Sequence, residues 1–248
     1  MANDKYLLNR KGEQAAHRDL ARLFGVPSIV AVLVAGYFLF TLPNASASTL
    51  FIAVPVWFIF FTFMSEILES APAASGTLGE SRVQSSLKRL SDDYILFDTV
   101  RLPHPQSRTG ERELDFVVIG KRRVFVIEVK NNAGTIAPPD VWDRQWPVVT
   151  QRGDKRSMRN PLRQAYGQRK TLEGRLAERG IHLKVQPIVV LSNPDCEFIY
   201  SGKVSIPIVM SGTDLREIIT RFDRAGSEID QSYVAEVIQS VDISRKAR

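Results

Sequence analysis

Residues 125–132, FVIEVKNN, carry Glu128 and Lys130 two positions apart in an otherwise apolar run. A strand alternates its side chains with period two, so this acid and this base share one face. The preceding run, ELDFVVI at 113–119, adds Glu113 and Asp115. The linking GKRR (120–123) is polar and opens with glycine, which predicts a β-hairpin. A two-residue loop at 121–122 and a four-residue loop at 120–123 give one register, with partner numbers summing to 243. Asp115 then faces Glu128 and Glu113 faces Lys130, with β-carbons about 4.5–5.5 Å apart. A loop of three or five residues would separate Asp115 from Glu128.

Two facing carboxylates destabilise a sheet. Val117, Ile119, Val124 and Val126 make the rest of their face apolar, and Phe116, Val118, Phe125 and Ile127 do the same for the other. These are therefore expected to be central strands covered on both sides, where an unpaired charge costs on the order of several kcal/mol. A divalent cation between Asp115 and Glu128 would compensate, and hard oxygen donors favour Mg²⁺ or Mn²⁺ over zinc. The alternative is a solvated ladder of Glu113, Asp115, Glu128 and Lys130 at the open end of the hairpin. Glu80 is a further candidate acid, close to the buried stripe of a helix expected over 78–90. The alternative for it is a first-turn residue favoured by the helix dipole.

Other chemistries lack their residues. One cysteine, Cys196, allows no internal disulfide and no multi-cysteine zinc site, and suits a reducing compartment. His17, His104 and His182 show no metal-ligand spacing, and neither a GxxxxGK[ST] loop nor a GxSxG elbow is present.

Positioning the acids requires strands at 94–100, 113–119, 123–130 and 185–191, with shorter ones at 147–150, 197–200 and 206–209. A long helix is expected at 160–179, with Asn160 as N-cap and Pro161 at its first position. Shorter helices are expected at 213–223 and 230–241. The result is an α/β fold, a mixed sheet flanked by helices.

Upstream, residues 26–42 and 43–64 hold no charge. Each apolar core is about 17 residues, roughly 26 Å as helix, near the short end of what spans a bilayer. Joined by PNASAS, they predict a two-helix transmembrane hairpin. The basic segment 1–24 and the uncharged connecting loop place both ends in the cytoplasm. Two buried helices of a soluble core, or a secretory signal ending at ASA (45–47), are the alternatives. The expected organisation is a basic N-terminal segment (1–24), a membrane hairpin (25–68), a linker (69–77), a domain at 78–200 and a C-terminal strand and helical extension at 201–248.

LGESRVQSSLKRL, RELDFVVIGKRRVFVIEVKNNAGTI and NPLRQAYGQRKTLEGRL, in that order and spacing, resemble the nuclease-related domain NERD. That family is similar to the PD-(D/E)XK restriction-endonuclease superfamily. The match covers about residues 75–195. The resemblance implies a restriction-endonuclease-like sheet, with Asp115 and Glu128 as metal-binding acids and Val129 as a carbonyl ligand. It implies Lys130 as the lysine that orients or activates the attacking water. Glu80 matches the acid of the first helix, and Gln164 the polar residue of the NPxxQ helix. The proline of the PD half-motif is replaced by Leu114. The implied activity is Mg²⁺- or Mn²⁺-dependent hydrolysis of DNA or RNA phosphodiesters.

The formal net charge is +6, and the segment 150–170 alone carries the same. Arg152, Lys155, Arg156, Arg159, Arg163, Arg169 and Lys170 stand there against Asp154 alone. Such a strip suits nucleic-acid phosphates, with anionic lipid headgroups or a solvated face as the alternatives. Trp142 and Trp146 are expected in the core, with base stacking as the other possibility. Two readings stand beside the nuclease: a non-catalytic nucleic-acid-binding module tethered to the membrane, and a membrane scaffold whose basic strip meets lipid.

Overall fold

The computed structural model describes residues 6–7, 76 and 78–245. The segments 26–42 and 43–64, expected to form a membrane hairpin, lie outside the described residues. Among the described residues no helix is long and apolar enough to cross a membrane.

The centre is a six-stranded mixed sheet in the order β1-β2-β3-β4-β8-β10. Its strands are β1 (Tyr6–Leu7), β2 (Ile95–Pro103), β3 (Glu111–Ile119), β4 (Val124–Lys130), β8 (Val185–Leu191) and β10 (Ile208–Met210). β2, β3 and β4 run antiparallel, whereas β4, β8 and β10 are parallel. A second sheet, in the order β7-β6-β5-β9, is built from β5 (Gly134–Ile136), β6 (Gln145–Val149), β7 (Lys155–Arg159) and β9 (Cys196–Phe198). Helix α1 covers 78–87, and α2 (Pro161–Ala177), α3 (Leu215–Asp223) and α4 (Gln231–Val241) follow.

Both faces of β3 and β4 are covered, as their two-sided apolar pattern requires. Val117, Ile119, Val124 and Val126 pack under Leu172 and Leu176 of α2 and Val234 and Ile238 of α4. Phe116, Val118, Phe125 and Ile127 pack under Val83 and Leu87 of α1 and Leu215 and Ile219 of α3. Each such side chain, fully buried, contributes about 1.5–3 kcal/mol relative to exposure. Of the expected C-terminal extension, β10, α3 and α4 thus add a strand and two helices to the same cores.

α2 starts where its cap dictates. The Asn160 side-chain oxygen accepts from the backbone N–H of Leu162 (2.8 Å) and Arg163 (3.1 Å), and Pro161 fills the first turn. The inward stripe is Leu162, Ala165, Gln168, Leu172 and Leu176. Gln168 is the one polar residue on it.

The β3–β4 hairpin has the predicted register, Phe116–Ile127, Val117–Val126, Val118–Phe125 and Ile119–Val124. Its turn is closed by Gly120 N–H donating to the Arg123 carbonyl at 2.8 Å. The buried Asp223 carboxylate, from α3, accepts from the backbone N–H of Lys121 (3.0 Å), Arg122 (2.9 Å) and Arg123 (2.9 Å).

Pairing stops one residue short of the acids, so Asp115 and Glu128 are not the ladder partners expected of them. The cause lies partly in β2. Phe97 and Val117 share a core with Val100 and Leu114, although unbroken alternation would put those pairs on opposite faces. The switch falls at Thr99, which has φ +52°, and the Thr99–Asp115 pair is missing from the β2–β3 ladder. A left-handed conformation costs a β-branched residue about 1–2 kcal/mol. Asp115 is left outside both ladders, with its carboxylate free for other partners.

Candidate active site

Glu128 is 2% exposed and is the only acid in β4. Its Oε1 meets Lys130 Nζ at 2.6 Å, as the shared face predicts. Its Oε2 accepts a short hydrogen bond from Gln168 Nε2, which also donates to the Glu113 carbonyl at 3.2 Å. The solvated-ladder alternative therefore fails for Glu128. For Glu113 it holds in part: that side chain is exposed, but it pairs with Arg101 at 2.9 Å and not with Lys130.

Asp115 Oδ2 accepts from the backbone N–H of Val129 at 2.7 Å. Within a strand the N–H and C=O of one residue point to the same side. The Val129 carbonyl therefore opens toward Asp115, while the Lys130 carbonyl is taken by Ser192 N–H on the opposite side (2.8 Å). Burial, then the Glu128 charge, hold the Asp115 carboxyl well above the usual carboxylate range, with the Val129 N–H and Lys130 pulling down.

Glu80 joins this group from α1. Its carboxyl is pushed up to about 7, first by burial and then by Asp98, Glu113 and Glu128, with Lys130 opposing. Gly79 permits the approach: a β-carbon there would collide with the Asn131 side chain and with Ser192 Oγ. Asp98 on β2 accepts from Gln84 Nε2 of α1 at 3.0 Å, and burial raises its carboxyl too.

Gln164 lies one turn before Gln168 on α2, and its Oε1 is buried with no hydrogen-bond partner. Gln168 is the residue that touches Glu128, and the sequence reading missed it. The signal was available: Gln168 is four residues after Gln164 on the same helical face.

The basic strip is less unified than its sequence suggests. Lys155, Arg156 and Arg159 are exposed on β7, a strand that was not foreseen. Arg152 is exposed in the turn before β7, and Arg163 and Lys170 are exposed on α2. Arg169 is bound to Glu173 at 2.9 Å. Trp146 is fully buried and stacked on Phe198, as expected of a core aromatic, whereas Trp142 is 37% exposed and meets Tyr166 edge-on.

An acid outside the ladder, a buried Glu–Lys pair and a glutamine brace occupy one end of β3 and β4, beneath α2. The family model for NERD, the nuclease-related domain, matches residues 75–192. A nuclease-related domain lies there. All of Glu80, Asp115, Glu128, Lys130, Gln164 and Gln168 fall inside the NERD match, and α3 and α4 fall outside it. No curated protein and no solved structure matches the chain.

Among the described residues no three His, Cys, Asp or Glu side chains form a group that could hold a metal ion. A smaller donor set does fit a hard cation: two mutually repelling carboxylates, Asp115 and Glu128, with the Val129 carbonyl opening beside them. Of the Asp115 oxygens, the hydrogen bond from Val129 engages Oδ2.

Proposed function

We propose that the NERD domain is a metal-dependent, restriction-endonuclease-like phosphodiesterase acting on DNA or RNA. The observation that carries this reading is the Asp115–Val129 bond lying beside the Glu128–Lys130 pair. Asp115, Glu128 and the Val129 carbonyl would hold Mg²⁺ or Mn²⁺. When bound, the ion would supply a Lewis acid for the scissile phosphate and acidify its water.

The chain's own groups do the rest. Gln168 fixes the Glu128 rotamer from one side and Lys130 from the other, so the carboxylate needs no reorganisation as charge develops. The Lys130 ammonium keeps a positive charge on the face where the phosphate oxygens become more negative, and can orient the attacking water. Glu80, with its carboxyl near 7, can hold or release a proton at neutral pH at the same end of the sheet, within the electrostatic reach of Glu128 and Lys130.

The decisive assay incubates the full-length chain with plasmid DNA, single-stranded DNA and RNA, with Mg²⁺, Mn²⁺ or EDTA, beside Glu128→Ala. Metal-dependent cutting that vanishes in the variant is expected. One observation favours a second reading, a non-catalytic nucleic-acid-binding module: both Glu128 oxygens are already engaged, by Lys130 and Gln168. Nucleic acid bound but never cut, with wild type and Glu128→Ala alike, would establish that module instead.

The apolar runs 26–42 and 43–64 lead us to propose that the domain is tethered to a membrane on its cytoplasmic side. Deleting residues 26–64 should release the protein from the membrane fraction. Full-length protein found only in the soluble fraction would overturn the tether.

A further inference from the structure

A cavity of about 490 Å³ opens where the β2–β3 connection meets the middle of α2. It adjoins the carboxylate site without including it. Its characteristic residue is Arg112. The guanidinium lies directly on Gly167, where any β-carbon would collide with Nη1. Arg112 Nη2 and His104 Nε2 are 3.2 Å apart, and both Arg112 Nε and His104 Nδ1 are buried without a hydrogen-bond partner. Among the described residues no carboxylate pairs with Arg112, and burial lowers its guanidinium from the ordinary arginine value. A partly buried cation with unmet donors and no anion is a costly arrangement unless a ligand completes it.

The rest of the lining agrees in chemistry. Lys170 Nζ lies 5.8 Å from the centre of the Tyr166 ring and has no acid partner among the described residues. Arg175 closes the far end, bound to Glu178 (2.9 Å) and the Pro103 carbonyl (2.6 Å). Tyr166 is 44% exposed and offers a ring face at the wall. The volume suits one small ligand, not a duplex. It combines two positive charges that lack an acid partner among the described residues with an aromatic surface.

We propose that this cavity is a subsite for the phosphorylated terminal nucleotide of a single strand, with Arg112 and Lys170 gripping the phosphate and Tyr166 available to the base. Arginine's fixed fork and the lysine point charge are the usual pair for a phosphoryl group. The placement gives the subsite a use. Arg112 immediately precedes Glu113 on β3 and Gly167 immediately precedes Gln168 on α2, and Gln168 bonds both the Glu113 carbonyl and Glu128. A strand end held by Arg112 thus lies one residue along from Glu113 on β3 and, through Gly167, one residue along from Gln168 on α2, the brace that holds Glu128. This inference rests on the nucleic-acid reading of the domain and narrows its substrate to phosphorylated ends.

The test is binding in EDTA, so that nothing is cut. Fluorescent single-stranded hexanucleotides carrying a 5′-phosphate, a 3′-phosphate or hydroxyls at both ends are titrated with the full-length chain. One phosphorylated end should bind about tenfold tighter than the hydroxyl form, the scale of one charge-assisted phosphate contact. Arg112→Gln and Lys170→Ala should each erase that preference, whereas Asp115→Asn should retain it. Should Arg112→Gln fail to fold, the exposed Lys170→Ala carries the test alone. Equal affinity for all three ends in wild type overturns the subsite, as does a preference that survives Lys170→Ala. A preference that needs these residues, in a protein that cuts no polymer, keeps the subsite and removes the nuclease. Metal-dependent cleavage without any end preference does the reverse.

Discussion

Replacing Glu80 with glutamine separates the electrostatic strain of the site from its packing. The Glu80 carboxyl titrates near 4.5 in the unfolded chain and is raised to about 7 in the folded one. Below pH 4.5 it is protonated in both states and adds no penalty. Between pH 4.5 and 7 the folded state keeps a proton that the unfolded state has released, so stability falls as pH rises, and above about 7 the loss is complete. At about 1.36 kcal/mol per unit the shift sets a ceiling of about 3.4 kcal/mol. Glu80 is only partly buried, and solvent screening reduces this to about 1–2 kcal/mol. Glutamine carries no charge, so Glu80→Gln should match wild type at pH 4.5 and exceed it by that amount at pH 8. The corresponding rise in Tm is about 3–6 °C for a domain of this size. Calorimetric unfolding of both full-length proteins in EDTA from pH 4.5 to 9 reads the difference directly. A gap that does not change with pH, or a variant less stable than wild type at pH 8, would refute the account of Glu80.

Asp223→Ala strips an acceptor from three backbone N–H groups of the β3–β4 turn and should lower stability by about 2–3 kcal/mol in urea unfolding; a loss under about 0.5 kcal/mol would show the turn holds itself. Gln168→Leu leaves Glu128 Oε2 without its donor and should destabilise by about 1–3 kcal/mol at pH 7; an unchanged or raised midpoint would contradict the brace. Lys130→Met should reduce cleavage by about 10²-fold or more and, because it leaves the buried Glu128 carboxylate without its ion-pair partner, also lower Tm; a fully active variant would remove Lys130 from the proposed chemistry. Mg²⁺ at about 100 times its dissociation constant should stabilise wild type by about 2.7 kcal/mol and Asp115→Asn much less; equal responses would place any bound ion elsewhere.

Legibility in the sequence followed the range of the interactions. The β3–β4 register and the Asn160 cap were readable because alternation, a short polar turn and an Asn-Pro step act within a few residues. β7 was not, since Lys155–Arg159 buries only Met158 and its charges read as a surface strip. Thr99 gave no warning either: a β-branched residue suits a strand, and nothing local announces a left-handed backbone there. That residue opens the β2–β3 ladder opposite Asp115. The residue types of the site, Asp115, Glu128 and Lys130, were legible from chemistry. Its brace, Gln168, depended on which turn of α2 reaches β4, and its subsite on how closely Arg112 can approach Gly167.

The Asp223 clamp also sets an order of events. The turn it holds lies about a hundred residues earlier in the chain, and the α4 helix that covers the Glu128 face of the sheet comes later still. A chain is synthesised from its N-terminus, and contacts of such long sequence separation form only after the loop between them has closed. The acids, the lysine and the glutamine all emerge before residue 223 does. They therefore wait, unsealed, until Asp223 and the helix after it have been translated. A nascent or prematurely ended chain carries every residue of the candidate site and lacks the piece that closes its hairpin turn.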